Sequence, residues 1–409
     1  MEAQMKVVEQ IYKKKDMQLE EKLGNLISMI ITYAGLIIIA YINVEIFTYI
    51  VNKLGIVGIV IGIGVLSLNF MLIIFVPIII HESGHLIFGK LTGYKYVSYR
   101  IGPYMLIKNN GKLKMKRYNI KGIVGQCLLM PDSDWNVYEY PYVLYNIGGG
   151  LANLIMSILS LFLYLFFIYR AYISEMLIVF FIIGIISAVN NLIPMKKSGI
   201  PNDGYNIMSL YKDKQTRRSF YIQLYINGML IKGHRLRDMP ERFFENIGSD
   251  ENINLNNPWF VSLEVLKCNY LHDKKEFEKA KEYSTNLIKS VPNLISVYKN
   301  ELTCELLFYE IIGLCRQEKI DRLYTGELKR YIRKTLSHVK KRHLIYAYEV
   351  LINNDSDKAI QGLDEFKSNV DIIKTYPYIG EIEAERELIE FIDNLAVVKN
   401  KKVHKGNIL

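Results

Sequence analysis

Cysteine is scarce in this chain, and its four copies, Cys127, Cys268, Cys304 and Cys315, form no CxxC pair. That excludes a disulfide framework and a cysteine-built zinc knuckle, and suits reduced, semi-buried thiols in a cytosolic setting. A glycine-rich phosphate loop is missing, and so is an aromatic-basic pattern of the kind that reads nucleic acid, so nucleic acid is not an expected partner. No A-x-A-like cleavage site follows the first apolar run near Leu26, so a cleavable signal peptide is not expected either. Long apolar runs are absent from the second half of the chain, which is charged throughout.

The first half is the opposite. Half of all residues are hydrophobic although the formal net charge is +10, a combination that suits apolar spans with basic loops plus a soluble domain. Four stretches reach the roughly 20 residues a bilayer demands: about Leu26 to Tyr49, Gly55 to Leu91, Tyr142 to Tyr169, and Met176 to Ile193. The second exceeds one crossing. It fits one tilted helix kinked by its glycines and Pro77, and equally a re-entrant piece and a span separated near Ser67–Asn69.

Lysine and arginine collect before the first stretch, between the second and third, and after the fourth, while Lys53 and Arg170 mark the two short connections. Four crossings put all three basic segments on one face, with both termini cytoplasmic and anionic lipid headgroups as their partner. The reading is a mainly α, multi-pass protein of the cell membrane. Residues 1–25 form a cytoplasmic segment, 26–221 a membrane domain of about four spans, and 222–409 a soluble all-α domain.

In that last domain helical periodicity recurs in Pro258–Leu271, Glu276–Ile288, Leu302–Cys315, Gly326–Val339, Leu344–Asn353 and Asp357–Phe366. "YLHDKKEFEKAKEYSTNLI" and "LINNDSDKAIQGLDEF" resemble each other as degenerate helical hairpins of the tetratricopeptide kind. An ordinary helical bundle fits as well. His234, His272, His338, His343 and His404 lack metal-like spacing and read as surface or packing residues.

The sharpest signal is His81-Glu82-Ser83-Gly84-His85, an HExxH inside "FVPIIIHESGHLIFGKL". On a helix, His81 and His85 share a face one turn apart, so both imidazoles can hold one Zn²⁺, and Glu82 beside them can take a proton from the activated water. Buried in an apolar span, these groups cost several kcal/mol unless paired, solvated or metal-bound. A catalytic zinc usually takes three protein ligands. Asp203, after the fourth stretch and on the same side, is the candidate third. The alternative for Asp203 is a helix cap on an Asp-Gly turn, opening a helix at Tyr205–Tyr211.

Together these features resemble the site-2 protease family of intramembrane zinc metalloproteases over about residues 55–215. The family's third-ligand pattern is similar to N-x-P-x-x-x-L-D-G. Asn191, Pro194, Asp203 and Gly204 match parts of it, with wider spacing and Asn202 in place of the leucine. A Gly-Pro-x-x-Asn stretch has its counterpart in Gly149-Gly150-Leu151-Ala152-Asn153, with Gly150 at the proline. The resemblance implies a bacterial metalloendopeptidase acting on membrane proteins or peptides. It implies His81, His85 and Asp203 as metal ligands, Glu82 as general base, and Asn153 and Asn191 near the substrate. Gly148 and Ala152 also make a small-xxx-small packing face, which offers Asn153 a purely structural role.

Asn109-Asn110-Gly111 followed by Lys112-Leu113-Lys114-Met115-Lys116 predicts a β-hairpin over about 96–118. It is similar to the family's membrane-associated hairpins, fit to pair with an extended substrate or to rest on headgroups. The helical domain is a natural place for a protein partner. Two other functions remain open: a non-catalytic membrane-anchored helical scaffold, and a transporter or metal-handling protein.

Overall fold

The computed structural model describes residues 2–109, 111–118, 124–169, 171–197, 200–245, 257–291, 294–335, 341–367 and 376–399. It is mainly helical with a small amount of antiparallel strand. The strands are β1 (Lys95–Ile101), β2 (Tyr104–Asn109), β3 (Lys112–Arg117), β4 (Gly125–Met130), β5 (Lys196–Lys197) and β6 (Ile200–Pro201). The helices are α1 (Glu2–Leu91), α2 (Tyr142–Phe167), α3 (Ala171–Leu192), α4 (Asp203–Lys212), α5 (Lys214–Ile231), α6 (Pro258–Asp273), α7 (Phe277–Ser290), α8 (Ser296–Ile312), α9 (Gln317–Leu323), α10 (Gly326–Thr335), α11 (Arg342–Ala347), α12 (Ser356–Lys367) and α13 (Ile379–Val398). Two compact units result: Met1–Gly102 with Ile120–Arg217, and Pro103–Asn119 with Arg218–Leu409.

In the first unit, three helical segments are long and apolar enough to cross a membrane: Lys22–Leu91, Tyr142–Phe167 and Tyr172–Leu192. α1 is not one rod. Gly55 leaves helical dihedrals at φ 58°, ψ −135°, a conformation that a side chain would resist. The two arms then fold back on each other. Asn69 donates to Asn43 Oδ1 at 3.0 Å, the Cα of Gly62 faces the Phe47 ring, and that of Gly58 faces the backbone at Ile50 and Val51. These pairs step in opposite directions along the chain, as an antiparallel hairpin requires. Of the two alternatives for the second stretch, the break near Ser67–Asn69 does not occur: the helix runs through these residues, with the Ser67 hydroxyl bonded back to the Ile63 carbonyl.

α3 packs against α1 through an apolar cluster of Ile39, Val179, Ile183 and Ile186. A polar bridge joins the same helices: Ser28 donates to Asn190 Oδ1, and Asn190 donates to Thr32. Ile37, Ile56, Val60 and Phe70 stay exposed on the outer faces, an apolar surface far beyond what a water-facing helix carries.

The predicted hairpin forms as β2 and β3, in register from Tyr104↔Arg117 to Asn109↔Lys112, with Gly111 at φ 78° in the turn. Its span is shorter than expected. β1, which the expected 96–118 span also takes in, is paired with β4 in the first unit, with a register shift between Tyr96 and Ser98.

In the helical unit, α6 to α8, α10 to α12 and the π turn Tyr348–Asn353 follow the predicted periodic segments. Val339, the expected end of one of these, lies outside the described residues, as do His338 and His404. The two similar stretches both turn through a left-handed residue, Lys275 (φ 62°) and Asn354 (φ 54°). α13 was not foreseen, yet it buries Leu388, Ile389 and Ile392 against α8 and α11. Where α8 gives way to α9, the buried Glu310 carboxylate accepts from Arg316 at 2.8 and 2.9 Å and pairs with Lys319 at 3.2 Å. The Arg316 hydrogen bonds, with Lys319 beside them, hold it down at about 2, against a burial effect that opposes them. A lowered carboxylate stabilises the fold above its unfolded value, and that contribution is lost as pH falls from about 4.5 towards 2. Glu310→Gln is therefore expected to flatten the acid limb of the unfolding curve and to cost about 2 kcal/mol at neutral pH, allowing for the half-exposed Arg316. Chemical denaturation across pH 3–7 measures both.

Candidate metal centre

The HExxH lies on the last turns of α1, where the helix meets α2 at contact distance. Gly84 and Gly148 make this approach possible: a Cβ on Gly84 would strike the Gly148 carbonyl and sit 2.6 Å from Ala152 Cβ. The expected small-xxx-small face is thus real, and it serves the site. With the backbones this close, Gly149 faces the imidazoles directly. A Cβ there would lie 2.6 Å from both His81 Nδ1 and His85 Nε2.

His81 Nε2 and His85 Nε2 converge to 3.1 Å. Asp203 Oδ2 stands 3.3 Å from each of them. Three donors at such spacing fit a tetrahedral ion with bonds of roughly 2.0–2.1 Å, which sets its ligands about 3.3 Å apart. Asp203 Oδ2 is buried and makes no hydrogen bond. Burial works to raise the Asp203 carboxyl, but the two imidazoles more than offset it and hold it well below the usual carboxylate range. A bound cation would play the same part.

The cap of α4 is not Asp203 but its neighbour. Asn202 is the cap of α4, accepting from Tyr205 N at 2.9 Å. It also accepts from Met195 N and donates to the carbonyls of Asn190 and Ile193. One carboxamide therefore ties the end of α3 to the start of α4, and Asp203 is left free to reach the histidines. The helix begins at Asp203, two residues before the expected start. The sequence reading saw in Asn202 only a departure from the leucine; the preference of Asn for helix starts is the signal that could have found it.

The rings are oriented from behind. His85 Nδ1 lies 2.7 Å from the Tyr145 carbonyl; a carbonyl only accepts, so Nδ1 carries the proton and Nε2 presents its lone pair. Asn153 approaches His81 Nδ1 at 3.4 Å through its amide nitrogen, while its buried Oδ1 has no partner. A metal on His81 Nε2 requires a proton on Nδ1, and therefore the Asn153 oxygen, not its amide nitrogen, in that place.

Glu82 is 7% exposed and faces β4: the Cys127 backbone hydrogen-bonds its carboxylate, and a Cβ on Gly125 would be 2.5 Å from Oε1. Tyr145 donates to the Cys127 carbonyl at 3.1 Å, fixing β4 to α2. The strand beside Glu82 is accordingly β4. Asn191, the other expected substrate contact, turns its amide back to the Ser187 carbonyl of its own helix at 2.9 Å. All four cysteines are free thiols.

His272 and His343, read from sequence as isolated, come together with Glu305. Neither spacing nor periodicity links three residues on α6, α8 and α11. Comparison with family models, curated proteins and solved structures gives no match for this chain.

Proposed function

We propose that this protein is an integral membrane zinc metalloprotease of the site-2 protease type. The observation that carries the reading is the convergence of His81 Nε2, His85 Nε2 and Asp203 Oδ2 to within 3.1–3.3 Å beside a buried glutamate. The four-crossing topology counts the two arms of α1 separately, followed by α2 and α3. It sets both termini and the three basic segments on the cytoplasmic side, where the HExxH end of α1 and the start of α4 also lie.

A bound Zn²⁺ would bring the pKa of a water molecule towards neutrality and polarise a scissile carbonyl. Glu82 removes the proton from the attacking water and delivers it to the leaving amide nitrogen. The Cys127 backbone holds the Glu82 carboxylate in place beside β4. The Tyr145 carbonyl holds the His85 imidazole in the tautomer that leaves Nε2 free, and Asn153 does the same for His81 once its Oδ1 faces Nδ1. β4 pairs with β1 along one edge, and among the described residues no strand pairs with the other. An unwound substrate segment lying along it presents its peptide bond to Glu82.

Asp203→Asn tests the ligand set without disturbing the α4 cap, which belongs to Asn202. Metal affinity of the full chain in detergent is expected to fall at least about 100-fold, and cleavage of a co-expressed membrane-anchored substrate to stop. Wild-type metal content and cleavage in this variant would sink the proposal. Metal binding without any cleavage in the parent protein would favour the scaffold, and metal-dependent transport the transporter.

A further inference from the structure

We propose that the helical unit holds a divalent transition-metal ion of its own, between His272, Glu305 and His343. One ligand atom from each residue lies within 4.8 Å of the other two. His272 Nδ1 is 2.8 Å and His343 Nε2 4.0 Å from Glu305 Oε2, and the two imidazole centroids are 5.3 Å apart. His272 and His343 are only 9% and 3% exposed. Yet Nε2 of both rings and Oε2 of Glu305 are buried with no hydrogen bond. The His272 nitrogen that faces Glu305 is Nδ1, which also lies 2.9 Å from the Tyr309 hydroxyl; with Glu305 Oε2 and His343 Nε2 it makes the donor set of a His₂Glu metal site.

The surroundings prepare that donor set. Glu385 on α13 accepts from the backbone N–H groups of Lys341 and His343 at 3.1 and 2.9 Å. Both of its oxygens lie 3.0 Å from His343 Nδ1. The carboxylate thereby fixes the proton on Nδ1 and turns the Nε2 lone pair towards the trio, the second layer typical of metal-ligating histidine. A cavity of about 110 Å³ opens beside the three side chains, enough for water to complete the coordination. The cations at hand are committed elsewhere: Arg235 to Asp273 and Glu387, and Lys341 to Glu301. An ion here joins α6, α8 and α11, whose ligands are far apart in sequence, so it closes the helical unit upon itself.

This inference stands apart from the protease reading, because the two sites share no residue. The test uses the full chain in detergent carrying His81→Ala and His85→Ala, stripped of metal and titrated with Co²⁺. One equivalent is expected to bind with a saturable ligand-field absorption in the visible and to raise the melting temperature. Glu305→Gln and His343→Gln should abolish the absorption with the helical circular dichroism retained, and Glu385→Gln should weaken binding roughly 10- to 100-fold. Absence of saturable binding and of a melting shift in the His81→Ala/His85→Ala protein overturns the proposal without needing any further variant. So does an unchanged titration in folded Glu305→Gln and His343→Gln.

Discussion

Glu82→Gln is expected to keep the metal content of the parent protein while lowering substrate cleavage by roughly 10²- to 10⁴-fold, the usual cost of removing a general base. The two effects separate because Glu82 is not among the three converging donors. Glutamine has the same shape, and its amide oxygen can still accept from the Cys127 backbone, so packing against β4 survives. What it lacks is a carboxylate to take up a proton. Metal analysis and cleavage of a membrane-anchored substrate, made on the same preparation, read both quantities. Undiminished cleavage would remove Glu82 from the chemistry; lost metal would mean that the carboxylate holds the ion or its neighbours in place.

Gly149→Ala should have an effect of similar size by a different route. Its methyl group would enter the 2.6 Å gaps to His81 Nδ1 and His85 Nε2, and α2 could back away only by giving up the close approach of Gly148 to Gly84. Overpacking of this kind costs about 1–3 kcal/mol. Here it is borne by the two rings, so metal affinity is expected to drop more than about tenfold. Gly150→Ala is the control. The atoms nearest its methyl all belong to the Leu192 side chain and none to an imidazole, so stability changes while the metal titration keeps its midpoint. Equal loss of affinity in both variants would assign the effect to helix packing rather than to the imidazoles.

Much of the candidate site could be read in the sequence because its parts are local. HExxH places two imidazoles on one face by helical geometry alone, and an apolar setting makes their polarity conspicuous. Asn-Gly with alternating residues announced the hairpin for the same reason. Asp203 needed a second argument, its sidedness, since Asn202 and Asp203 are both good helix caps; the hydrogen bonds of Asn202 show which of them caps α4. The pairing of β1 with β4 spans more than twenty residues and leaves no local mark. The grouping of His272, Glu305 and His343 depends on how three amphipathic helices stack, which periodicity does not specify. The turn at Gly55 falls at the first residue of the second predicted stretch, beside the short connection at Lys53 that four crossings required.

The knot made by Asn202 also has a mechanical side. Its four hydrogen bonds weld the last turn of α3 to the first turn of α4, and α3 is bolted to α1 by Asn190, Ser28 and Thr32. The histidines and the aspartate thus belong to a single closed loop of contacts running from the first arm of α1, through α3 and α4, back to the second arm. Closing that loop with a cation adds its binding free energy to the cohesion of the whole bundle, about 2.7 kcal/mol at a hundredfold excess over Kd. Chelation should therefore loosen helices far from the histidines, and the earliest sign of metal loss should be faster hydrogen exchange near Ser28, not at His81.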